Sequence, residues 1–281
     1  MKLHFTKMQG AGNDYIYVNC FETDLPDPSK IAQIVSDRHF GMGSDGLVLI
    51  LPSENADVRM RMFNADGSEG KMCGNASRCV GKYVYERGIV HKKEIMLETL
   101  SGIKKLLLKT EGETVVSVTV QMGKPILTPT LIPVDCCGEN FINRPVTVKD
   151  TCYRMTAVSM GNPHNVIFCK EISTLPLESI GPEFENLPLF PERVNTEFVR
   201  VIDERTLEMR VWERGSGETL ACGTGACASV VAAVLNGYCR QGEEITVLLL
   251  GGDLRITYTD SGEVLMQGPA VRVFEGVMEL D

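Results

Sequence analysis

The chain is dominated by short runs in which apolar and polar residues alternate, the pattern of strands that bury one face. β-Branched residues are frequent in these runs, and turn-forming residues separate many of them. The sequence therefore predicts a strand-rich chain. The predicted strands are LHFTKM (3–8), YIYVN (15–19), GLVLIL (46–51), VRMRMF (58–63), EIMLET (94–99), TVVSVTV (114–120), NVIFC (165–169), EFVRVI (197–202), LEMRVW (207–212), EITVLLL (244–250), DLRITY (253–258) and GVMEL (276–280).

Helical patterns are few. The clearest cover residues 74–87 and 223–236, and each is followed by a glycine, Gly88 or Gly237, where a helix C-terminus commonly has one. Residues 29–38 and 170–181 are two further candidate helices.

The two clearest helices belong to a longer internal correspondence. Several residues recur 149 positions later in the chain, which indicates two copies of one unit with one long helix each. The prolines of GKPILTPTLIPVD (123–135) mark the predicted linker, so we expect an N-terminal lobe at 1–123 and a C-terminal lobe at 124–268. The corresponding positions are Gly12-Asn13 and Gly161-Asn162, Asn64 and Glu213, Glu69 and Glu218, Cys73 and Cys222, Gly88 and Gly237, and Gly102 and Gly251.

Length and charge narrow the class of protein. The 281 residues suffice for one large domain or two ordinary ones, and a hydrophobic content of 43% is enough to build a core. The formal net charge of -9 argues against a nucleic-acid partner or an anionic membrane surface. No apolar stretch reaches transmembrane length and no signal peptide is evident, so a cytoplasmic protein is expected.

The ten cysteines include two in an unusual setting. Most are expected to be small buried side chains, but Cys73 and Cys222 each precede a glycine at the start of a predicted helix. Backbone N–H groups and the positive helix end stabilise a thiolate there, so such a cysteine can be ionised near neutral pH. A thiolate on one face of a carbon can remove a proton while a thiol on the other face returns one, which inverts the centre.

Other roles for the pair are open at this point. A disulfide would require an oxidising compartment. A metal site is not expected, because CxxC spacing is missing and only four histidines exist. A cysteine nucleophile would need a paired base such as His39 or His164. A phosphate-binding loop would need the lysine that CGTG lacks.

The neighbouring residues fit an amino-acid ligand. Arg214 could bind a carboxylate and Glu213 an ammonium group, although a solvated pair at a strand end is the more common arrangement. The helix starts at Gly74-Asn75 and at Gly223-Thr224 could hold the carboxylate of the reacting centre by backbone N–H groups.

Five motifs together resemble the diaminopimelate epimerase family: GAGNDYIYV, FNADGSEGKMCGNASRC, SMGNPHNVIF, FPERVNTEFV and ERGSGETLACGTGA. The resemblance extends from residue 7 to about residue 270. It implies an α/β (α+β) fold of two pseudo-symmetric lobes, each with mostly antiparallel strands around a central helix. The C-terminal strand, 269–281, is expected to return to the first lobe. The implied activity is cofactor-independent interconversion of LL- and meso-diaminopimelate, in lysine and peptidoglycan precursor biosynthesis, by a homodimer with a cleft that closes on substrate.

The resemblance also assigns roles residue by residue. Cys73 and Cys222 match the acid/base cysteines, and His164 matches a histidine that orients its neighbours. Gly46 stands where some members have a Gln that contacts substrate, so altered contacts are expected there. The positions that match substrate-binding residues are Asn13, Asn64, Gly74, Asn75, Asn162, Asn195, Glu213, Arg214, Gly223 and Thr224.

Two alternative functions stay open from the sequence. One is another isomerase of the same architecture that acts on proline, hydroxyproline or a different amino acid. The polar residues Asn64, Asn162, Asn195, Glu213 and Arg214 favour instead a substrate with polar groups at both ends. The other is a redox protein that uses the two cysteines as a disulfide switch, which would not exchange a substrate proton.

Overall fold

The computed structural model of the chain describes residues 1–280 and divides them into two compact units. One unit contains Met1–Gln121 together with the C-terminal segment from Gln267 onward, and the other contains Met122–Met266. Each unit combines strands with two α-helices.

The elements of the first unit are, in chain order, β1 (Lys2–Gly10), β2 (Asn13–Asn19), α1 (Pro28–Ser36), β3 (Gly46–Leu51), β4 (Val58–Asn64), β5 (Glu69–Gly70), α2 (Gly74–Glu86), β6 (Glu94–Thr99), β7 (Gly102–Glu111) and β8 (Thr114–Gly123). A 3-10 turn at Pro129–Leu131 lies in the predicted linker. The second unit follows with β9 (Arg144–Val148), β10 (Thr151–Ser159), β11 (Pro163–Phe168), α3 (Leu177–Glu185), β12 (Asn195–Asp203), β13 (Thr206–Glu213), β14 (Gly217–Thr219), α4 (Gly223–Leu235), β15 (Glu244–Leu248), β16 (Leu254–Tyr258) and β17 (Val264–Gly268). The last strand, β18 (Val271–Glu279), pairs antiparallel with β1.

The two units repeat the same strand pairings. In the first, β2 and β3 are parallel with Ile16 opposite Leu47, and in the second, β11 and β12 are parallel with Asn165 opposite Thr196. The corresponding residues are 149 positions apart on both strands. The offset holds through the short strands β5 and β14, as the pairs Met62–Gly70 and Val211–Thr219 show. The repeat inferred from the sequence is therefore present in the structure up to the central helices.

After the central helices, the offset of 149 residues between corresponding positions of the two units no longer holds. Val58 pairs with Leu97, whereas Leu207 pairs with Val247, so the second partner is shifted by one residue. The turn between β6 and β7 is also shorter than the one between β15 and β16. The predicted match of Gly102 with Gly251 is therefore wrong, because Gly102 begins a strand and Gly251 lies in a longer turn.

The predicted helices at 74–87 and 223–236 are confirmed as α2 and α4, and the candidate at 29–38 corresponds to α1. The candidate at 170–181 is wrong in its position, because the helix runs from Leu177 to Glu185 and includes Pro182. Four longer strands were not predicted, namely β7, β9, β10 and β17.

The central helix of the second unit is almost wholly buried. All of its residues from Gly225 to Ala233 are buried, and most are Gly, Ala, Ser or Val. Small side chains let the surrounding strands approach the helix closely, and burial of its apolar surface stabilises the unit. Its first turn is thereby fixed in the interior, which places Cys222 in a dry environment. No helix within residues 1–280 combines the length and apolar character needed to cross a membrane.

Candidate active site

Cys73 is the N-cap residue of α2, with extended backbone angles of φ -131° and ψ 122°. Its thiol donates to Asn13 Oδ1 at 3.3 Å, and its sulfur accepts the Ala76 N–H at 3.5 Å. The second contact is the capping interaction that a helix start offers to an anion or a polar atom. In the first unit, the structure therefore brings together the predicted site residues Asn13 and Cys73.

Cys222 occupies the equivalent position in the second unit, as the N-cap residue of α4. It is only 5% exposed, and its sulfur lies 3.5 Å from Thr224 Oγ1. Gly223 and Thr224 form the first turn of the helix, so their backbone N–H groups are among those that have no partner within the helix.

The surroundings of Cys222 in the structure oppose ionisation of its thiol. Burial raises the pKa of the Cys222 thiol well above its usual value, and the carboxylates of Glu213 and Glu197 raise it further. The Thr224 hydroxyl and the Gly225 N–H lower this pKa, but their effect is smaller. The helix N-terminus is thus outweighed by desolvation and two nearby negative charges, and Cys222 holds its proton.

Glu213 and Arg214 lie at the end of β13, but they are not a solvated pair. The Thr219 hydroxyl donates to Glu213 Oε1 at 2.5 Å, and burial raises the pKa of the Glu213 carboxyl above its usual value. The Arg214 guanidinium donates to the Glu192 carbonyl at 2.8 Å. Glu213 therefore faces Cys222 as a desolvated carboxyl, while Arg214 retains further N–H groups.

Two of the predicted asparagines make local hydrogen bonds within the protein. Asn195 is buried and its Oδ1 accepts the Arg214 N–H at 2.8 Å, which fixes the chain after β13. Asn64, at the end of β4, donates to the Ser68 hydroxyl at 2.9 Å within its own turn.

His164 contacts two polar side chains, Glu197 and Asn162. Its Nδ1 lies 2.7 Å from Glu197 Oε1, and both side chains are completely buried. Its Nε2 lies 3.1 Å from Asn162 Oδ1. The imidazole therefore has a polar neighbour at each ring nitrogen.

Asn75 is fixed by a completely buried arginine in the first turns of α2. Arg78 donates through Nη1 to Asn75 Oδ1 at 2.9 Å and through Nε to the Pro269 carbonyl at 3.0 Å. A Cβ atom on Gly10 would lie 2.9 Å from Arg78 Nη2, so a glycine at this position leaves room for the guanidinium. This arrangement fixes the helix start that contains Gly74 and Asn75.

Gly46 has no space for a larger side chain in this conformation. A Cβ atom there would lie 2.0 Å from the Phe63 carbonyl oxygen and 2.8 Å from Tyr15 Cε1. The Gln of some family members would therefore require a different local backbone, and altered substrate contacts at Gly46 stay a prediction.

Four residues at these positions were not singled out from the sequence: Asp45, Arg78, Glu197 and Thr219. Asp45 accepts a hydrogen bond from Asn13 Nδ2 at 2.8 Å. A charged residue at a buried position of a strand requires a partner, but the complete burial of Glu197 is known only from the structure. Among residues 1–280, no group of three or more His, Cys, Asp or Glu side chains could hold a metal ion.

The two units and their strand order define the class of fold. The crystal structure of a probable proline racemase from Agrobacterium radiobacter superimposes with a TM-score of 0.73 at 12% identity, over 99% of this chain and 93% of that one. At this identity the likeness concerns the fold alone. The architecture is the two-lobed fold of racemases and epimerases, with a central helix in each repeat.

Sequence comparison then identifies the family. The diaminopimelate epimerase family model matches residues 5–128 and 156–273. The diaminopimelate epimerase of Acetivibrio thermocellus is 58% identical over 280 residues, 99% of either chain. That of Desulfovibrio desulfuricans is 58% identical over 281 residues, 98% of this chain and 97% of the relative. The chain belongs to the diaminopimelate epimerase family.

Proposed function

We propose that this protein epimerises one α-carbon of diaminopimelate, interconverting the LL and meso forms, with Cys73 and Cys222 as the acid/base pair. The observation that carries the proposal is the placement of one cysteine at the N-cap of each central helix in a chain of this family. Family relatives at more than half identity favour this substrate over a proline-type substrate.

The proposed reaction needs only two proton transfers. One cysteine, as thiolate, removes the α-hydrogen as a proton, and the electron pair stays on the carbon and its carboxylate. The other cysteine, as thiol, delivers a proton to the opposite face and becomes the thiolate. The residues exchange roles for the reverse direction, and no external oxidant, reductant or cofactor enters the balance.

The helix starts are suited to stabilise the intermediate. Negative charge that develops on the α-carboxylate would be bound by backbone N–H groups of Gly74-Asn75 and Gly223-Thr224, which are fixed before the reaction. Arg78 supports this preorganisation in the first unit because it anchors Asn75.

The ammonium group of the substrate would place a positive charge beside Glu213. Glu213 raises the pKa of Cys222, and a cation placed beside Glu213 would oppose that effect. We therefore assign Glu213 to the ammonium at the reacting centre. Asn13, Asn64, Asn162, Asn195 and Arg214 bind the remaining polar groups, and His164 orients Asn162.

Hydrogen exchange at the α-carbon tests the proposal. The reduced protein is incubated with LL-diaminopimelate in deuterated water, and the meso product is analysed by mass spectrometry and chiral chromatography. One deuterium per inverted centre is expected. Absence of exchange with diaminopimelate, combined with exchange on proline, would refute the assignment.

We further propose that the enzyme is a homodimer in the cytoplasm. The cytoplasm is the expected compartment because both thiols must stay reduced to act. A homodimer is supported by β18, where Val271, Val273, Phe274 and Val277 are 41–52% exposed. Sedimentation should give about twice the chain mass of 30.9 kDa, and Phe274→Asp should weaken the association.

A further inference from the structure

The asparagine side chains of the Gly12-Asn13 and Gly161-Asn162 turns are held through opposite atoms of their amide groups. In the first unit, Asn13 donates through Nδ2 to Asp45 Oδ2 at 2.8 Å and accepts the Cys73 thiol at Oδ1. In the second unit, Asn162 places its Oδ1 3.1 Å from His164 Nε2. Asn13 thus uses its nitrogen as the anchor, whereas Asn162 uses its oxygen.

Asp45 determines the orientation of Asn13. Its Oδ2 also accepts the Asp14 N–H at 3.1 Å, and its Oδ1 accepts from Arg38 at 3.0 Å. An ionised carboxylate only accepts hydrogen bonds, so the Asn13 atom that faces it must be the nitrogen. The Asn13 oxygen is then left to face Cys73.

Glu197 determines the orientation of Asn162 through His164. His164 Nδ1 lies 2.7 Å from Glu197 Oε1, and its Nε2 lies 3.1 Å from Asn162 Oδ1. A carboxylate and an amide oxygen both accept, so each of these contacts needs an N–H of the ring. A carboxylate at Nδ1 favours a ring that donates from both nitrogens, whereas a ring with an unprotonated Nε2 would accept from the Asn162 nitrogen instead.

The packing around Glu197 leaves space for a carboxylate. A Cβ atom on Gly225 would lie 2.6 Å from Glu197 Oε1, so the glycine of α4 leaves the space that the carboxylate needs. Glu197 Oε2 is buried without a hydrogen-bond partner in residues 1–280. Burying such a group costs free energy, and an apolar side chain would often be no less stable, which favours a role beyond stability.

We propose that Asp45 and Glu197 are positioning residues that give the two turns opposite hydrogen-bonding polarity. Asp45 makes Asn13 present its oxygen toward Cys73, and Glu197, acting through His164, makes Asn162 present its nitrogen to an anionic group of the substrate. The assignment of that anionic group rests on the proposed function, whereas the orientation of the two side chains does not.

The orientation of Asn162 is tested without substrate. The protein is labelled with ¹⁵N-histidine, and His164 is assigned by its loss in His164→Gln. Both ring nitrogens should have chemical shifts of protonated nitrogens at pH 7 in the wild type, and Nε2 should become unprotonated in Glu197→Gln. An unprotonated Nε2 in the wild type would overturn the proposal for the second unit.

Kinetics test the consequences. Glu197→Gln should raise KM for diaminopimelate about tenfold, and Asp45→Asn should instead lower kcat about tenfold, which corresponds to one charge-assisted hydrogen bond in each case. Glu208→Gln and Asp57→Asn are matched controls, because these carboxylates bind Arg200 and the Met96 N–H away from the candidate site. Controls should stay within about twofold of the wild type.

The outcomes separate a positioning role from a structural one. If both variants lose thermal stability but keep KM and kcat, Asp45 and Glu197 are structural only. If the wild type does not act on diaminopimelate, the proposed function fails. The ¹⁵N shifts of His164 then still decide the orientation of Asn162. The side-chain amide shifts of Asn13, compared between the wild type and Asp45→Asn, decide the orientation of Asn13.

Discussion

The hydroxyl of Thr219 donates a 2.5 Å hydrogen bond to Oε1 of Glu213 across the β13–β14 hairpin. This bond lowers the pKa of the Glu213 carboxyl, while burial raises it more strongly. The balance decides how much negative charge Glu213 places beside Cys222, because the ionised carboxylate raises the pKa of that thiol. After burial, Glu213 has the largest effect on the pKa of Cys222, and Thr219 acts on it through Glu213.

Glu213→Gln should lower the pKa of Cys222. The amide is neutral, so the thiolate no longer experiences repulsion from a carboxylate at this position, and ionisation becomes easier. The rate of Cys222 alkylation by iodoacetamide, followed against pH by peptide mass spectrometry, should rise at a lower pH than in the wild type. Epimerisation should nevertheless fall by a factor of about 100 or more, because the ammonium of the substrate loses its partner.

Glu218→Gln is the matched control for that experiment. Glu218 lies on β14 and is bound by Arg210 at 2.7 and 3.0 Å, so its charge is already paired. Its removal should leave the alkylation profile of Cys222 unchanged. An equal displacement of the profile in both variants would show that Glu213 has no specific effect.

Cys73→Ala and Cys222→Ala should each abolish epimerisation. General acid–base groups contribute about 10²- to 10⁴-fold, and inversion needs one group on each face of the carbon. Conversion of LL- to meso-diaminopimelate is measured for each variant, with Cys239→Ala as a control for a buried cysteine outside the site. Full activity in either single variant would refute the two-base mechanism.

The repeat and the two cysteines could be predicted because they depend on local signals. Glycines after each helix have φ values of 67° and 77° at Gly88 and Gly237, a backbone conformation that favours glycine. A cysteine before each helix is equally visible in the sequence. Such signals depend on residues that are close in sequence, so a single amino-acid sequence is enough to recognise them.

The supporting charges could not be predicted in the same way. Glu197 and His164 are 33 residues apart and meet because β11 and β12 are parallel neighbours. Arg78 reaches Pro269 across 191 residues of chain. The raised pKa of Cys222 likewise depends on burial around α4, which sequence spacing does not reveal. The helix at Leu177–Glu185 was misplaced because Pro182 argues locally for a helix end, whereas packing of Phe184 overrides it.

Arg78→Lys should destabilise the protein by about 2–4 kcal/mol, because a lysine cannot bind both the Asn75 side chain and the Pro269 carbonyl, and a buried acceptor is left unpaired. Urea unfolding provides the measurement. Arg59→Lys is the control, since Arg59 is 42% exposed, lies 3.9 Å from Glu98 and should contribute less than about 1 kcal/mol. Equal stability of the two variants would contradict an anchoring role for Arg78.

Gly225→Ala should destabilise the protein although alanine is the better helix former by about 1 kcal/mol. Its Cβ would lie 2.6 Å from Glu197 Oε1 and 3.2 Å from Cys222 Cβ, and overpacking of this kind costs about 1–3 kcal/mol. Gly81→Ala in α2 is the control, because its Cβ would meet only Leu and Val side-chain ends at 3.1–3.5 Å, which can move.

A double-mutant cycle identifies the group responsible for the cost of Gly225→Ala. Glu197→Ala removes the carboxylate that the new methyl group would meet, so the double variant should lose less stability than the sum of the single variants. The coupling should be about 1 kcal/mol or more in urea unfolding. Additive losses would mean that Cys222 or the helix backbone, not Glu197, limits the space at Gly225. In that case Gly225 is needed to leave space for Cys222 or the helix backbone, and not for the Glu197 carboxylate.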